Sequence, residues 1–323
     1  RVTTTEEAGF GVRVLAEGAW GFAASSDFRA EAAAATVDRA LEIARASAQI
    51  QAEPLRLPAR PGEEGAYRTP LEQDPFAVPV ETKLALLVSC SEAMQRRAAV
   101  RVAQAHMNLF REKKWFVCSE GNRLEQTIVE TGGSVAATAV GDDGIFQRRG
   151  FANHAQAGYE FITELNLPAQ AERCADEAEA LIVAPVCPSG PQTVILGSAM
   201  LALQVHESCG HPIELDRVLG TEASFAGTSF MTVDGLGVLQ YGSPAVTITA
   251  DATLPRGLGS FGWDDEGSPA ERFPIIERGR FVNYLTSRET AWWLANHYHH
   301  STPCLLYTSD AADESSRGWG AGV

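Results

Sequence analysis

Two histidines and one glutamate lie within six consecutive residues, in the run His206-Glu207-Ser208-Cys209-Gly210-His211. Neutral imidazole nitrogens are good ligands for zinc, and a carboxylate beside them is a suitable general base for a water that the metal activates. The run therefore points to metal-dependent hydrolysis, with His206 and His211 as candidate ligands and Glu207 as candidate base. The alternative is a pair of structural histidines that stand close together by chance.

The spacing of the two histidines constrains the local structure. The familiar metalloprotease motif places its histidines four positions apart, on one face of a helix, whereas His206 and His211 are five positions apart. At about 100° per residue, five steps of a regular α-helix rotate the second side chain by about 140° from the first. Both can reach one metal only if the helix contains a wide turn of the π type or unwinds between them, and Gly210 would permit such a break.

The segments on either side of the motif suggest how it is positioned. Residues 193–196 predict a short buried strand, and residues 197–205 predict an apolar helix that carries His206 into the interior. Glu214 and Asp216 follow closely enough to accept an imidazole N–H, which would orient a metal-binding ring. For Asp216, simple solvation is the alternative.

The run from residue 193 to residue 216 resembles the active-site segment of the TldD/PmbA metallopeptidase family, whose TldD-type members carry His-Glu-x-x-x-His. The likeness extends over most of the chain, from about residue 8 to residue 303, and four further stretches carry it. They are the N-terminal hairpin at residues 11–23, Thr228-Ser229-Phe230, the Asp-Asp-Glu-Gly segment within residues 261–267, and the hairpin at residues 276–281.

The resemblance implies a zinc-dependent peptidase that hydrolyses short or unfolded peptides, with His206 and His211 as ligands and Glu207 as base. It also implies homodimers, or heterodimers with a family paralogue, that enclose the peptide in a cavity. The family takes its third protein ligand from a cysteine far downstream. Cys304 is the only cysteine after the motif.

The last residues differ in character from the rest of the chain. Residues 304–314 resemble a translated sequencing adapter, and residues 315–323 are small, polar and rich in glycine. We therefore expect a non-native tail at residues 304–323, a natural chain that continues beyond residue 303, and a third ligand that is missing here, so that this fragment could be inactive. A natural flexible C-terminus is the alternative. The first residue is Arg1 rather than an initiator methionine, which suggests truncation at that end as well.

Two other functional classes remain open at this stage. The chain could be a non-catalytic assembly or regulatory subunit of a TldD/PmbA-type complex that keeps its histidines for structure. It could also be a zinc amidohydrolase with a non-peptide substrate. The residues alone do not separate this last class from a peptidase.

Composition excludes several partners. The 323 residues carry a formal net charge of −15, which disfavours nucleic acid and anionic membranes because phosphate contacts need clustered Lys and Arg. No apolar run approaches the ~18 residues that a membrane span requires. The six cysteines are scattered without paired spacing, which is typical of reduced thiols and predicts a cytoplasmic protein.

The predicted fold class is α+β. Residues 1–180 should form an N-terminal domain of helices packed on a mostly antiparallel sheet, and residues 181–303 a strand-rich catalytic domain that carries the metal helix. The expected elements are a hairpin turning at Glu17-Gly18, helices at 28–51 and 81–97, strands between 100 and 139, and helices at 159–165 and 169–180. Ser25, Ser26 or Asp27 would cap the first helix. Residues 51–80 should form a proline-rich linker, and residues 181–185 a buried strand.

Several other residues of suitable chemistry are assigned no catalytic role. Cys209 is interpreted as a packing residue, and the run Asp264-Asp265-Glu266 as a loop held by carboxylate–backbone hydrogen bonds. His106 and His154 are interpreted as structural. The remaining cluster, at His297, His299 and His300, adjoins the unusual tail and is given no metal role.

Overall fold

A computed structural model describes residues 1–51, 53–225 and 227–299. The fold is α+β, as predicted, and it divides into two compact units. One unit comprises residues 1–59 together with a late helix, and the other comprises residues 60–287. The predicted domain boundary near residue 180 stays a prediction, and the tail at 304–323 lies outside the described residues.

The first unit is built on a hairpin. Strands β1 (Phe10–Ala16) and β2 (Ala19–Ser25) pair antiparallel through the predicted turn, where Glu17 and Gly18 have φ angles of 54° and 80°. Two positive φ angles in a two-residue loop match the twist of the flanking strands. Helix α1 (Ala30–Ala48) packs on this hairpin, and the C-terminal helix of the unit spans Arg288–Tyr298.

The predicted cap of α1 is wrong. The N-cap residue is Arg29, which makes no side-chain capping bond. Asp27 instead uses its carboxylate to accept hydrogen bonds from the backbone and guanidinium of Arg29. The carboxylate of Asp27 thus binds Arg29 instead of capping α1, and the position of Asp27 in the sequence did not reveal this partner.

The second unit begins with a four-stranded sheet. Its strands are β3 (Glu64–Arg68), β4 (Val100–Val117), β5 (Arg123–Val140) and β6 (Phe146–Ala155). Strand β5 is central: β4 pairs antiparallel along its length, while β3 pairs parallel with its first half and β6 antiparallel with its second. The linker prediction missed β3, because a parallel partner far along the chain stabilises a segment whose prolines indicate a loop.

Three helices cover this sheet. They are α2 (Val80–Gln95), α3 (Glu160–Leu165) and α4 (Leu167–Ile182), close to their predicted positions. Asn166, in the left-handed conformation with φ of 47°, separates α3 from α4. Buried residues of all three helices pack against β5 in one hydrophobic core. This half of the unit forms the helix-on-sheet layer that the sequence predicts.

The two buried strands predicted after this layer are wrong. Residues up to Ile182 belong to α4, Val183 is 85% exposed, and residues 193–196 form no strand, with Ile195 99% exposed. Helix α5 (Ser198–Val205) is present as predicted, but it contains no buried residue. The prediction of both strands rests only on the apolar composition of the two segments. Among the described residues, no helix or strand covers their side chains.

The rest of the unit contains a small antiparallel sheet of β7 (Ile248–Asp251), β8 (Arg272–Glu277) and β9 (Arg280–Phe281). The predicted hairpin at 276–281 is confirmed, since Ile276 pairs with Phe281 and Glu277 with Arg280. Fully buried side chains on and beside this sheet form a second core; they are Ile213, Leu215, Met231, Ile276, Phe281 and Tyr284. Two of them, Ile213 and Leu215, follow the metal motif directly, so this core anchors it.

Candidate metal centre

The candidate motif lies in a widened helical turn. Helix α5 continues into a π-helical turn at His206–Gly210, then into a 3₁₀ turn at His211–Ile213 and the short helix α6 (Leu215–Val218). The backbone N–H of His211 donates to the carbonyl of His206, five residues back, which is the π pattern. Of the two local structures that the spacing allowed, the chain adopts the wide turn.

Gly210 is not the site of a break. Its φ and ψ of −54° and −60° are ordinary right-handed helical values. A Cβ atom built there would lie 3.7 Å from Nδ1 of His206, an ordinary van der Waals distance. The conformational freedom of glycine is therefore not used at this position, and the π turn must be stabilised from elsewhere.

The π turn brings the three chemically important side chains together. Potential ligand atoms of His206, Glu207 and His211 all lie within 4.8 Å of one another. The two imidazole centroids are 4.3 Å apart, with an interplanar angle of 64°. Nitrogens bound tetrahedrally to zinc at about 2.0–2.1 Å are about 3.4 Å apart, so small side-chain rotations suffice to bind one ion. Both histidines are partly buried and Glu207 is exposed, so the donor set fits a divalent metal that solvent and substrate can reach.

Glu214 orients one of the two histidines. Nδ1 of His211 lies 3.1 Å from Oε1 of Glu214, and the other carboxylate oxygen accepts from Nε of Arg217 at 3.2 Å. The His211 and Glu214 side chains are 11% and 13% exposed, so this contact is largely shielded from water. With Nδ1 engaged by a carboxylate, Nε2 of His211 is the nitrogen that would bind a metal.

Asp216, the other predicted partner of an imidazole, makes different contacts from Glu214. Oδ1 of Asp216 accepts from the backbone N–H of Arg217, and its carbonyl accepts from Thr221. Its backbone contacts belong to the start of α6 and the loop that follows. Neither of these two contacts involves an imidazole, whereas Glu214 contacts His211 directly.

Segments distant in sequence hold the 3₁₀ turn in place. The hydroxyl of Ser229 donates to the carbonyl of Pro212 at 2.6 Å. The backbone N–H of Leu285 donates to the carbonyl of Ile213 at 3.0 Å, and Leu285 accepts in turn from Leu215 at 3.1 Å. Ser229 lies in the Thr228-Ser229-Phe230 stretch noted in the sequence. Nothing in the neighbouring residues predicts that its hydroxyl binds the backbone of Pro212. The same is true of Leu285, because its contribution is backbone pairing.

Cys209 lies within the motif but is not part of the His206–Glu207–His211 group. It is fully buried, and burial raises the pKa of its thiol to about 11. Among the described residues, the one cluster with metal-ligand geometry contains His206, Glu207 and His211 and leaves Cys209 out. Its interpretation as a packing residue is consistent with this position.

The acidic run that follows the motif is a closed loop. Oδ1 of Asp264 accepts from the backbone N–H groups of Glu266 and Ser268 at 2.9 and 2.7 Å. Asp265 forms an ion pair with Lys114 of β4, and the guanidinium of Arg60 donates to the carbonyl of Glu266 at 2.6 Å. The predicted carboxylate–backbone hydrogen bonds are confirmed.

Three other histidines have different surroundings. His106 is exposed on β4. The His154 ring packs against Gly132, where a Cβ would lie 1.9 Å from it, and burial lowers the pKa of His154. His297 stacks on Trp293 with centroids 4.6 Å apart in the first unit. His300 and Cys304 lie outside the described residues.

Comparison with known families adds an independent result. Three matching family models are described as PmbA/TldA metallopeptidase domain 1, central domain and C-terminal domain, at residues 1–44, 73–182 and 189–297. The chain belongs to the TldD/PmbA metallopeptidase family. The C-terminal model includes the whole His206–His211 motif, so the candidate centre lies within a recognised metallopeptidase domain.

Individual relatives agree with this assignment. A metalloprotease of Methanocaldococcus jannaschii is 30% identical over 285 residues, which are 88% of this chain and 60% of the relative. A metalloprotease of Synechocystis is 28% identical over 300 residues, which are 92% of this chain and 61% of that protein. This TldD/PmbA chain thus spans about three fifths of the length of these relatives. Their names and the His-Glu-His cluster imply a metal cofactor.

Solved structures support the fold. A Thermotoga maritima protein described as a proposed modulator of DNA gyrase superposes with a TM-score of 0.71 at 19% identity. The match covers 93% of this chain and 64% of that protein. In the described part of the TldD/PmbA chain, no helix combines the length and hydropathy needed to cross a membrane.

The Glu214 contact leads to a prediction about metal affinity. Glu214→Gln should weaken binding of a divalent metal, with zinc as the probe, by about 10- to 100-fold, because an amide holds the His211 ring less firmly and withdraws the negative charge behind it. Competition with a chromophoric chelator measures this affinity. Asp216→Asn is the matched control and should bind zinc as the wild type does. Equal affinities for Glu214→Gln and wild type would show that this carboxylate does not support the ligand.

Burial of Cys209 leads to a prediction about pH and reactivity. With a pKa of about 11, the thiol is neutral below that pH, and about 0.1% is thiolate at pH 8. Iodoacetamide at pH 8 should therefore leave Cys209 unmodified in the native protein and modify the exposed Cys187, as read by peptide mass spectrometry. Adding or chelating zinc should change neither result. Prompt labelling of Cys209 that zinc suppresses would instead identify it as a ligand.

Proposed function

We propose that this chain is the motif-bearing part of a zinc-dependent peptidase that hydrolyses short or unfolded peptides. The observation that carries the proposal is the convergence of His206, Glu207 and His211 to within 4.8 Å on a π turn. Two imidazoles and a solvent-accessible carboxylate are the donors and base that zinc hydrolases use. Family membership supports the peptide bond as the target, and the zinc-type ligand set supports the choice of metal.

Each side chain has a defined part in the proposed reaction. His206 and His211 would hold the ion, and Glu214 would keep the His211 ring oriented. When bound there, zinc would supply Lewis-acid chemistry, polarising the scissile carbonyl and increasing the acidity of water. Glu207 accepts a proton from the water that attacks the carbonyl carbon, then delivers this proton to the departing amine nitrogen. Its exposure allows both water and peptide to approach the carboxylate.

The proposal extends to features outside the described residues. A catalytic zinc site ordinarily has three protein ligands, and the family resemblance supports a downstream cysteine as the third. The family resemblance also supports assembly as a homodimer, or as a heterodimer with a paralogue. It supports peptides as the substrate. Five free cysteines among the described residues are compatible with a reducing compartment, so we propose the cytoplasm.

Two other functions use the same fold. A non-catalytic assembly subunit would tolerate loss of both histidines without loss of function. A zinc amidohydrolase would keep the centre but act on small amides rather than peptides. No contact in the described residues favours either one over peptide hydrolysis.

Substitution of the base tests the proposed function. Glu207→Gln should bind zinc normally but hydrolyse peptides about 10²- to 10⁴-fold more slowly, because the amide cannot accept the proton from water. Metal content and turnover of a peptide mixture would be measured on the same zinc-loaded preparation of the full-length protein, which carries the proposed downstream ligand. Glu271→Gln makes the same chemical change at an exposed position outside the motif and should be fully active.

The outcomes separate the alternatives. Undiminished peptidase activity in Glu207→Gln would rule out its role as base. Zinc binding with hydrolysis of small amides only would favour the amidohydrolase. If wild-type protein acquires no zinc and His206→Ala changes nothing, the assembly-subunit function is supported and the peptidase proposal fails.

A further inference from the structure

The π turn has a side-chain support on its outer face. Ser208, in the middle of the turn, donates its hydroxyl proton to the carbonyl of Gln204 at 2.6 Å. The phenol oxygen of Tyr241 lies 3.0 Å from Oγ of Ser208 and donates to the carbonyl oxygen of Ser208 at 3.2 Å. One tyrosine thus contacts both oxygen atoms of the residue that follows the proposed base.

Counting protons fixes the direction of these bonds. The hydroxyl of Ser208 has one proton, and the short contact to Gln204 uses it. The phenol of Tyr241 must therefore be the donor in its contact with Oγ, and it shares its single proton between Oγ and the carbonyl oxygen. Tyr241 acts on the π turn as a donor to two acceptors.

These hydroxyl donors bind backbone carbonyls at the junction between α and π spacing. Where an α-helix changes to π spacing, the backbone N–H groups are displaced by one residue relative to the carbonyls. Carbonyls at such a junction benefit from donors other than the regular helical ladder. The carbonyls of Gln204 and Ser208 each receive a hydroxyl, one from within the turn and one from Tyr241.

Tyr241 itself is attached to a rigid element. On one side of it, the carbonyl of Leu239 accepts from the N–H of Phe281 at 3.1 Å. On the other, the N–H of Gly242 donates to the carbonyl of Gly279 at 3.1 Å, and Gln240 forms a β-bridge with Arg280. The β8–β9 hairpin therefore fixes the backbone on both sides of Tyr241, and the phenol transmits that position to the π turn.

We propose that Tyr241 is a positioning residue for the metal centre. By donating to Ser208, it keeps the helix in π spacing and so keeps His206 and His211 on the same side. The inference rests on the proposed zinc-binding function, and the contacts that carry it are those between Tyr241 and Ser208. The contacts of Tyr241 are with Ser208, so its effect on the metal would act through the turn.

Removal of the single hydroxyl tests this inference. Tyr241→Phe keeps the ring and should weaken zinc binding by about 3- to 10-fold, which corresponds to the loss of one intramolecular hydrogen bond. In the metal-free protein, hydrogen–deuterium exchange in peptides spanning residues 205–213 should accelerate by a similar factor. Ser208→Ala removes one of the two acceptors and should change both quantities in the same direction. In the double variant the two effects should be less than additive, because the substitutions share a contact.

A second tyrosine provides the matched control. The phenol of Tyr67 donates to Oε1 of Gln156 at 3.4 Å, within the four-stranded sheet. Tyr67→Phe should lower the melting temperature about as much as Tyr241→Phe does, with unchanged zinc affinity and unchanged exchange at residues 205–213. A purely structural Tyr241 would behave in the same way as this control.

The two readouts distinguish failure of the inference from failure of the proposed function. Unchanged exchange at residues 205–213 in Tyr241→Phe would overturn the positioning role, whatever the metal does. If exchange is faster in Tyr241→Phe but the wild type binds no zinc, Tyr241 stabilises the turn and the zinc-binding function is contradicted. Faster exchange together with weaker zinc binding supports both.

Discussion

Five positions separate His206 from His211, and a regular α-helix would direct two such side chains about 140° apart. The π turn at His206–Gly210 removes this conflict, because its hydrogen bonds span five residues. Everything else about the centre depends on that turn: the 4.3 Å between the imidazoles, the proximity of Glu207, and access of Nε2 of His211 to a metal. A π turn is rare because its packing is poorer than that of an α-helix, so its neighbours must stabilise it.

The surrounding structure supplies that stabilisation mainly through backbone anchors. Ser229 and Leu285 bind the carbonyls of the 3₁₀ turn that follows, while Tyr241 binds the π turn itself. Buried Ile213 and Leu215 attach the same segment to the small sheet. By contrast, the helix that precedes the motif contains no buried residue. The centre is therefore held by residues that lie 17 to 72 positions downstream of the groups they bind.

Local chemistry made much of the structure predictable from sequence. The pair Glu17-Gly18 defines a tight hairpin, helical periodicity located α2 and α4, and the five-residue spacing required a π turn or a break. Long-range partners made the rest unpredictable. Strand β3 forms because β5 lies beside it, with each pair of partners 59 positions apart in the chain. The apolar residues around Ile195 are exposed although their composition indicates burial. Nothing in the sequence around Tyr241 predicts its role, because its phenol reaches Ser208 only in the folded chain.

The most direct test of this account is a crystal structure of the zinc-soaked protein with anomalous data at the zinc edge. The account predicts one strong peak, about 2.0–2.1 Å from an imidazole nitrogen of both His206 and His211, with the π turn intact and Nδ1 of His211 still against Glu214. A peak bound by only one of the two histidines, or an α-helical His206–Gly210 segment with the rings apart, would contradict the claim that the π turn builds the metal centre.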